Sequence, residues 1–479
     1  MAPGASAGTS PGAPAGASAG ASAGVSSAAS PGAKPRRWLE AWRGDRALRA
    51  ILRNAGLLVS GKGAGALLHL LGLAVAARAL GPDAFGVLVL INTYALTASG
   101  LARFQSWQAI IQFGTPALHR IEHAGGHPQE LADVLLFALV LDLGTGVLGM
   151  LGAMALLPFL GERLGIPEAL VPLCIAYATL VPTMTIATPS GVLRLLDRFD
   201  LMAWQSLTLP GLRLAGVLLC WGVGLPFWAY VLCWWASDLA GDLVLGWVAW
   251  RELGRRGLRR GVRVNWRAAL RPGQGIWPFV WFANLGSSLG VAWGPLSNLV
   301  VGALLGPAAA GFYRVAQTVV DALGKPAELL ARVFYPEAAR LREAARTAEF
   351  WRLSTRSAAL AALGAGAVML IVMAAAGPFM RLAFGANYAE AAPLLAIMAA
   401  SLLATVPAFP LEPLLLTLGR AGTALLVRAV VTLLYLGVLW FLAATWGLPG
   451  AALAYVLGSA AMAATMLAAV AAMRRGARS

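Results

Sequence analysis

A stripe of charged and polar side chains runs along the apolar segment of residues 301–332. Its members recur every three or four residues, so on a helix with about 100° per residue they fall within roughly 80° of one another. The stripe consists of Arg314, Gln317, Asp321, Lys325, Glu328 and Arg332. A charge that faces lipid is costly. These side chains must therefore face either each other or a polar cavity.

The sequence leaves both interpretations of the stripe open. Asp321 and Lys325 (i, i+4), and Lys325 and Glu328 (i, i+3), have the spacing of ion pairs within one helix, which would neutralise the charges locally. An ionic ligand in a cavity would neutralise them equally well.

Carboxylates embedded in other apolar segments could bind a driving cation or a proton. Asp238 and Asp242 are four residues apart and share one helical face. With Asp321 they are the candidates for ion coupling. The alternative for Asp238 and Asp242 is a simple ion pair with an arginine of a neighbouring helix. Two further embedded acids are Asp142 and Glu412.

The histidines at 119, 123 and 127 have a spacing that resembles a metal site. Gly125 and Gly126 interrupt the helix that would align them, so we expect a solvated cytoplasmic loop. The sequence contains no glycine-rich phosphate loop and no nucleophile elbow. It therefore predicts no catalytic residues, no metal, no cofactor and no enzymatic activity.

The composition indicates the environment of these residues. The chain is 59% hydrophobic and 12% charged, whereas soluble domains carry about 25% charged residues. Residues 429–473 contain no Asp, Glu, Lys or Arg, and one membrane span needs about 20 such residues. The net charge is 37 − 21 = +16, but the basic residues lie between apolar blocks. This arrangement favours contact with membrane lipids over nucleic-acid binding.

The apolar blocks predict an all-α polytopic membrane protein with about twelve spans. The predicted spans are residues 55–80, 84–112, 131–157, 168–190, 204–225, 226–250, 276–305, 310–335, 353–376, 391–416, 422–445 and 448–473. Arg and Lys are concentrated in alternate connections, which places both termini in the cytoplasm. The outer loops are short.

Five regions follow from this reading. Residues 1–50 comprise a tail rich in Ala, Gly, Ser and Pro, which we expect to be disordered, and a basic amphipathic segment on the cytoplasmic surface. Residues 51–250 form an N-terminal lobe of six helices, and residues 276–473 form a C-terminal lobe of six. Residues 251–275 are a basic cytoplasmic connector, and residues 474–479 are a cytoplasmic tail.

The two halves of the sequence echo each other. Gly81-Pro82 recurs as Gly306-Pro307, an offset of 306 − 81 = 225. Further echoes at 223–225 are Gly86/Gly311, Gly161/Gly385, Pro182/Pro407, Pro189/Pro413 and Leu225-Pro226/Leu448-Pro449. Six spans return the chain to its starting side, so the two repeats have the same orientation. Parallel repeats of this kind are typical of alternating-access transporters with a central cavity.

The repeat also gives the stripe a counterpart. Subtracting 225 from Gln317 gives Asn92, which shares a helical face with Ser99 and Arg103. Because both halves then place a polar face on the same helix, we expect these two helices to line one cavity between the lobes.

Several motifs resemble one family. They are residues 77–86 after a first span that opens at Asn54, residues 306–313, residues 384–388 and residues 446–452. Together they are similar to the bacterial polysaccharide flippases of the multidrug/oligosaccharidyl-lipid/polysaccharide exporter superfamily. The resemblance covers residues 54–473.

The resemblance implies a function. It implies twelve helices in two lobes around a cavity, in a multi-pass protein of the bacterial inner membrane. It also implies flipping of an undecaprenyl-diphosphate-linked oligosaccharide for O-antigen, capsule or exopolysaccharide export, without covalent chemistry. We expect a monomer, with a polysaccharide polymerase and assembly proteins as candidate partners.

A diphosphate needs cationic donors that water can reach. Arg103, Arg314 and Lys325 are the leading hypothesis for the phosphate contact. The full set of substrate-binding candidates is Lys62, Arg78, Asn92, Arg103, Arg314, Gln317 and Lys325. Arg213 and Arg428 are further cations on the fifth and eleventh spans, whereas Arg78 and Arg314 near outer ends could instead anchor their helices at the interface.

Three other functions compete. A cation-coupled drug or small-molecule exporter of the same fold would be favoured by one isolated carboxylate in each lobe. A membrane polymerase or ligase would need a large outer loop, which is missing from the predicted topology. A non-transporting scaffold would gain support if the charged stripe were dispensable.

Overall fold

The computed structural model describes residues 46–264, 266, 276–343 and 346–476, and every regular element in that part of the chain is a helix. Within those ranges some side chains, including Lys62 and Arg332, fall outside the description. The predicted N-terminal tail and residues 265 and 267–275 of the basic connector lie outside it as well. The chain divides into two units, Met1–Arg53 and Asn54–Ser479, and the second contains both predicted lobes.

The helices are numbered here in chain order. They are α1 (Arg46–Ala102), α2 (Ser106–His123), α3 (Gln129–Leu160), α4 (Val171–Ala178), α5 (Val181–Thr185), α6 (Thr188–Leu195), α7 (Phe199–Val223), α8 (Phe227–Arg255), α9 (Ile276–Val291), α10 (Ser297–Leu305), α11 (Pro307–Glu343), α12 (Thr347–Phe384), α13 (Ala391–Ala399), α14 (Leu402–Thr405), α15 (Leu411–Thr417) and α16 (Ala421–Gly476). A π-helical turn, Ala292–Leu296, joins α9 to α10.

These helices supply twelve spans. Seven stretches are long and apolar enough to cross a membrane, and the bent run from Glu168 to Leu195 is an eighth. Two of the seven, in α1 and α16, are each two spans joined at a glycine, Gly81 and Gly447 respectively. The charged helix α11 and the broken run α13–α15 complete the twelve. The prediction of an all-α polytopic membrane protein is confirmed.

Some of the glycines that recur in the sequence also have similar backbone dihedral angles. Gly81 has φ 74° and ψ 173°, and Gly306 has φ 87° and ψ 176°. Only glycine adopts such angles without strain, so the echo preserves one turn geometry in both halves. Gly224 and Gly447 likewise share a positive φ, of 69° and 64°. The echo between Gly161 and Gly385 differs, because Gly161 is helical.

Proline makes two predicted continuous spans discontinuous. The fourth span bends by 51° and is interrupted again between α5 and α6, and the tenth is divided into α13, α14 and α15. Proline cannot donate an N–H within a helix and clashes with the preceding turn. Pro182 and Pro189 lie in the fourth span, and Pro407, Pro410 and Pro413 lie in the tenth.

The second span is shorter than predicted. It ends at Ala102 rather than at residue 112, and a separate helix, α2, follows it. The non-helical backbone of Gln105 separates the two helices. His119 and His123 therefore lie on α2 with their rings stacked at 4.5 Å, and the expected loop is confined to the residues that follow them. Among the described residues, no group of three or more His, Cys, Asp and Glu could hold a metal ion.

We call α1–α8 the N-lobe, α9–α16 the C-lobe, and the end of the bundle that carries Gly81, Gly306 and Gly385 the outer end. The lobes are in direct contact there. Tyr388 packs edge-on against Phe85 of the N-lobe and Phe312 of the C-lobe, at centroid distances of 6.1 and 5.4 Å. One buried apolar cluster continues through both lobes.

Candidate functional site

A cavity of about 1000 Å³ opens inside the C-lobe. Its walls come from the α9–α10 junction, from α11, from the broken span α13–α15 and from α16. The charged and tyrosine side chains that line it are Asp321, Lys325, Glu328, Tyr335, Glu412, Arg428 and Tyr455. Proline breaks in the tenth span keep that wall from packing as a straight helix, which leaves room beside α11.

The central part of the charged stripe faces this cavity. Asp321, Lys325 and Glu328 are all exposed to it. The Tyr455 hydroxyl donates to Asp321 Oδ1 at 3.2 Å. In the described part of the chain, Lys325 forms no ion pair with either of its neighbouring acids. The close intrahelical ion pairs that the spacing allowed are therefore not formed, although the charges of Lys325 and Asp321 still act on each other.

The upper part of the stripe is built differently. Gln317 is completely buried, accepts from Asn298 Nδ2 at 2.8 Å and donates to the Trp293 carbonyl at 2.6 Å. It thus joins α11 to the preceding span instead of lining the cavity, which corrects the expectation for this residue. Arg314 is half-buried one turn before Gln317, and the charge of Asp321 acts on it.

Cations from both lobes converge on a residue that the sequence analysis did not select. His69 lies on the first arm of α1 and is half-buried. The positive charges of Arg213 in the N-lobe and of Arg314 and Lys325 in the C-lobe all act on its ring. A single histidine in an apolar run has no spacing signal. Only its isolation as a polar ring within a span could have drawn attention to it.

The polar face of the second span points into the N-lobe. Asn92 Nδ2 donates to the Tyr177 hydroxyl at 2.9 Å, and that hydroxyl donates to Asp238 Oδ2 at 2.7 Å. Arg213 forms an ion pair with Asp238 Oδ1 at 2.5 Å. This network satisfies Asn92 and Asp238 internally, so the expected shared cavity wall is not formed by Asn92. Asp238 therefore forms an ion pair with an arginine of a neighbouring helix, which was the alternative to a role in ion coupling.

Arg103 and Ser99, from the same face, also bond within the N-lobe. The Arg103 guanidinium donates to the Met184 carbonyl in the fourth span. The Ser99 hydroxyl donates to the Leu96 carbonyl of its own helix. Neither side chain lines the C-lobe cavity.

The remaining candidates lie at the periphery. Arg78 donates to the Leu382 carbonyl, across the lobe boundary at the outer end, so it joins the lobes and does not reach the cavity. Arg428 lies 3.4 Å from Glu412 at the cavity wall. Lys62 lies outside the described side chains.

The sequence can now be compared with known families. Residues 51–342 match the family described as "Polysaccharide biosynthesis protein". This chain belongs to that family. The resemblance carried by the glycine-proline motifs is thereby confirmed. The chain is also similar to Inner membrane protein YghQ of Escherichia coli (strain K12), with 40% identity over 353 residues that cover 74% of this chain and 98% of that protein.

Solved structures with the same fold are transporters. A multidrug resistance MATE family transporter of the MOP superfamily, in its inward-facing conformation, matches with a TM-score of 0.68 at 17% identity, over 86% of this chain and 96% of that one. An outward-facing MATE family transporter gives 0.60 at 16%, over 89% and 96%. A MOP superfamily transporter from Pyrococcus furiosus Vc1 gives 0.60 at 16%, over 88% and 96%. The polysaccharide biosynthesis protein therefore has the fold of the MOP superfamily.

Proposed function

We propose that this protein flips an undecaprenyl-diphosphate-linked oligosaccharide across the bacterial inner membrane by alternating access, with both termini in the cytoplasm. The observation that carries the proposal is the Lys325 ammonium, which faces the C-lobe cavity and forms no close ion pair among the described residues. Membership of a polysaccharide biosynthesis family supports the same substrate class.

The cations fit the headgroup of such a lipid. An ammonium that faces a cavity within the bilayer is costly unless a counter-charge reaches it. A diphosphate supplies that charge and accepts several charge-assisted hydrogen bonds. A headgroup held by Lys325 would rest against α11, with sugars in the remaining volume of the cavity.

A second, apolar cleft fits the lipid tail. It encloses about 640 Å³ between α1, α3 and α10, with Trp440 of α16 at its edge. Leu101, Leu148 and Leu156 line it and are exposed. A polyprenyl chain could lie in this cleft in contact with surrounding lipid, while its headgroup occupies the polar cavity.

Transport assays on Lys325 variants test this proposal. In cells that lack their own copy, Lys325→Gln should abolish surface polysaccharide and cause lipid-linked oligosaccharide to accumulate on the inner leaflet. Lys325→Arg keeps the charge and should retain transport, and membrane insertion should be equal for both. Normal export by the Lys325→Gln protein would exclude the proposed headgroup contact.

A cation-coupled small-molecule exporter is the second candidate. The same cavity exposes the carboxylates of Asp321 and Glu328, neither of which forms an ion pair among the described residues. These acids would suit a cationic compound. Uptake of a cationic dye into everted vesicles, lost in Glu328→Gln and retained in Lys325→Gln, would support this candidate over the flippase.

The proposed flippase acts without covalent chemistry and as a monomer. Its partners would be the lipids of the membrane and, after flipping, a polysaccharide polymerase and assembly proteins. Crosslinking in native membranes, followed by identification of the captured chains, tests these contacts. Recovery of the chain only as a homodimer would contradict the monomer.

A further inference from the structure

The indole ring of Trp293 lies at the wall of the C-lobe cavity. It belongs to the π-helical turn Ala292–Leu296, which joins α9 to α10. Pro295 within that turn has no N–H to donate, and the Ser297 hydroxyl donates to the Ala292 carbonyl. Single π-helical turns are rare and occur frequently at functional sites. This turn places a large aromatic ring beside the polar part of the cavity.

Three contacts fix the orientation of the indole. Tyr435 stacks on one face, with a centroid distance of 4.1 Å and an angle of 4° between the rings. Tyr455 packs edge-on at 6.1 Å, and the indole Nε1–H donates to the Thr432 hydroxyl at 2.9 Å. A side chain that is already held in place loses little further conformational freedom when a ligand binds to it.

The space next to the indole is open. A Cβ added at Gly290 or at Gly294, on either side of Trp293 in the chain, would meet no atom of another helix within 4 Å. Trp293 is only half-buried. Because Tyr435 covers one face and the ring lines the cavity, the other side of the indole is the part that a ligand in the cavity reaches.

Two serine hydroxyls of the same cavity have no hydrogen-bond partner in the described part of the chain. Ser401 and Ser459 line the cavity, and they are 1% and 3% exposed. The hydroxyls of Thr318, Ser354 and Thr405, by contrast, each donate to a carbonyl of their own helix. A buried hydroxyl without a partner is costly. A ligand or water in the cavity must therefore supply the missing hydrogen bonds.

Asp321 adds a carboxylate to this group. Tyr455, which contacts the indole, donates to Asp321 Oδ1 at 3.2 Å, whereas Oδ2 accepts no hydrogen bond from a described residue. Asp321 lies one helical turn, about 6 Å, from Lys325 along α11. A sugar attached to a diphosphate at Lys325 would therefore reach the level of this carboxylate.

We propose that Trp293 is a stacking platform for one sugar ring of the transported oligosaccharide, an assignment that rests on the proposed function. The C–H face of a pyranose packs on the electron-rich face of an aromatic ring, and its hydroxyls bond to Asp321 Oδ2, Ser401 and Ser459. A cationic compound could use the ring and the carboxylate. It has no acceptor for the two serine hydroxyls, so the combination favours a sugar.

The fold that the two lobes share does not require these side chains. At the repeat offset of 225, Trp293 corresponds to Leu68 and Asp321 to Leu96 (293 − 225 = 68, 321 − 225 = 96). The indole and the carboxylate are thus specific to the C-lobe. This asymmetry is expected of a ligand site and not of packing common to both repeats.

Lipid binding to the purified full chain in nanodiscs tests the platform. The probes are the lipid-linked oligosaccharide extracted from cells that lack this protein and undecaprenyl diphosphate without sugar. Trp293→Leu should weaken binding of the glycosylated lipid about tenfold. It should leave binding of the sugar-free lipid unchanged, which also shows that the variant is folded. Trp293→Phe keeps an aromatic face and should stay within about threefold of the wild type.

Two further variants keep the test decisive. Trp221→Leu makes the same change at an exposed tryptophan of α7 that lines neither the cavity nor the apolar cleft, and it should alter neither affinity. Gly290→Leu fills the open space beside the indole and should weaken binding of the glycosylated lipid alone. Wild-type affinity of Trp293→Leu for the glycosylated lipid would overturn the platform. If Trp293→Leu does not fold, wild-type affinity of Gly290→Leu would overturn it.

The same assay separates the platform from the flippase proposal. Lys325→Gln should weaken binding of both lipids, because it removes the contact to the diphosphate. Equal affinity of the wild-type protein for the two lipids would overturn the platform alone. Binding of neither lipid by the wild-type protein would overturn the flippase, and the platform with it.

Discussion

Gly86 and Gly311 meet backbone to backbone where the two lobes touch at the outer end. A Cβ on Gly311 would lie 3.3 Å from the Cα of Gly86, and a Cβ on Gly86 would overlap the Pro307 carbonyl. The two residues are repeat equivalents, at an offset of 311 − 86 = 225. The echo in the sequence thus corresponds to a close contact between the two lobes.

Enlarging this contact should open the outer end. Gly86→Leu forces the two helices apart, at a cost of about 1–3 kcal/mol for overpacking. We expect greater labelling of a cysteine placed at Ala308 by an impermeant maleimide, together with reduced transport. Gly144→Ala, at a glycine with open space around it, is the matched control. Unchanged labelling in Gly86→Leu would show that the contact does not close the outer end.

Substitution of Arg78 should weaken the closure of the outer end without changing substrate binding. Among the described residues it donates a hydrogen bond to the Leu382 carbonyl of the other lobe, so Arg78→Ala should increase labelling at the outer end. Binding of a lipid diphosphate to the purified protein should stay within about twofold, because a residue outside the cavity contributes little to it. A loss of lipid-diphosphate binding as large as that expected for Lys325→Gln would indicate that Arg78 contacts the substrate.

Breaking the buried ion pair of the N-lobe should destabilise the protein. Arg213→Ala leaves the Asp238 carboxylate uncompensated, and such a change costs about 3–5 kcal/mol. The double variant Arg213→Met/Asp238→Leu removes both charges and should recover most of that loss. Thermal unfolding in detergent measures both effects. Equal destabilisation by the single and the double variant would contradict the pairing.

Substitution of Gln317 should change the stability of the protein and not its transport activity. Gln317→Leu leaves the Trp293 carbonyl and the Asn298 amide without this partner, and each buried group that loses its hydrogen bond costs about 1–3 kcal/mol. Thr318→Val is the neighbouring control, because that hydroxyl bonds only to the Arg314 carbonyl of its own helix. Transport per folded molecule should be normal in both variants. A specific loss of transport in Gln317→Leu would contradict this assignment.

The fold class and the offset between the two halves are readable from residue types and their spacing. Span length is set by bilayer thickness, so apolar blocks of the right length identify helices without knowledge of their neighbours. The turns at Gly81 and Gly306 are equally local, since a positive φ selects glycine from the backbone alone. The proline positions are also a local signal for helix breaks, although the fourth and tenth spans were predicted as continuous.

The pairing of polar groups depends instead on how the spans pack against one another. Asn92 finds Tyr177 in a span 85 residues away, and Asp142 caps a helix that begins 46 residues later. Lys325 has the spacing of an ion pair on both sides, yet the structure contains no close ion pair between it and Asp321 or Glu328, and all three side chains face the cavity. Helical periodicity fixes which residues share a face, but packing against other spans sets the direction of that face.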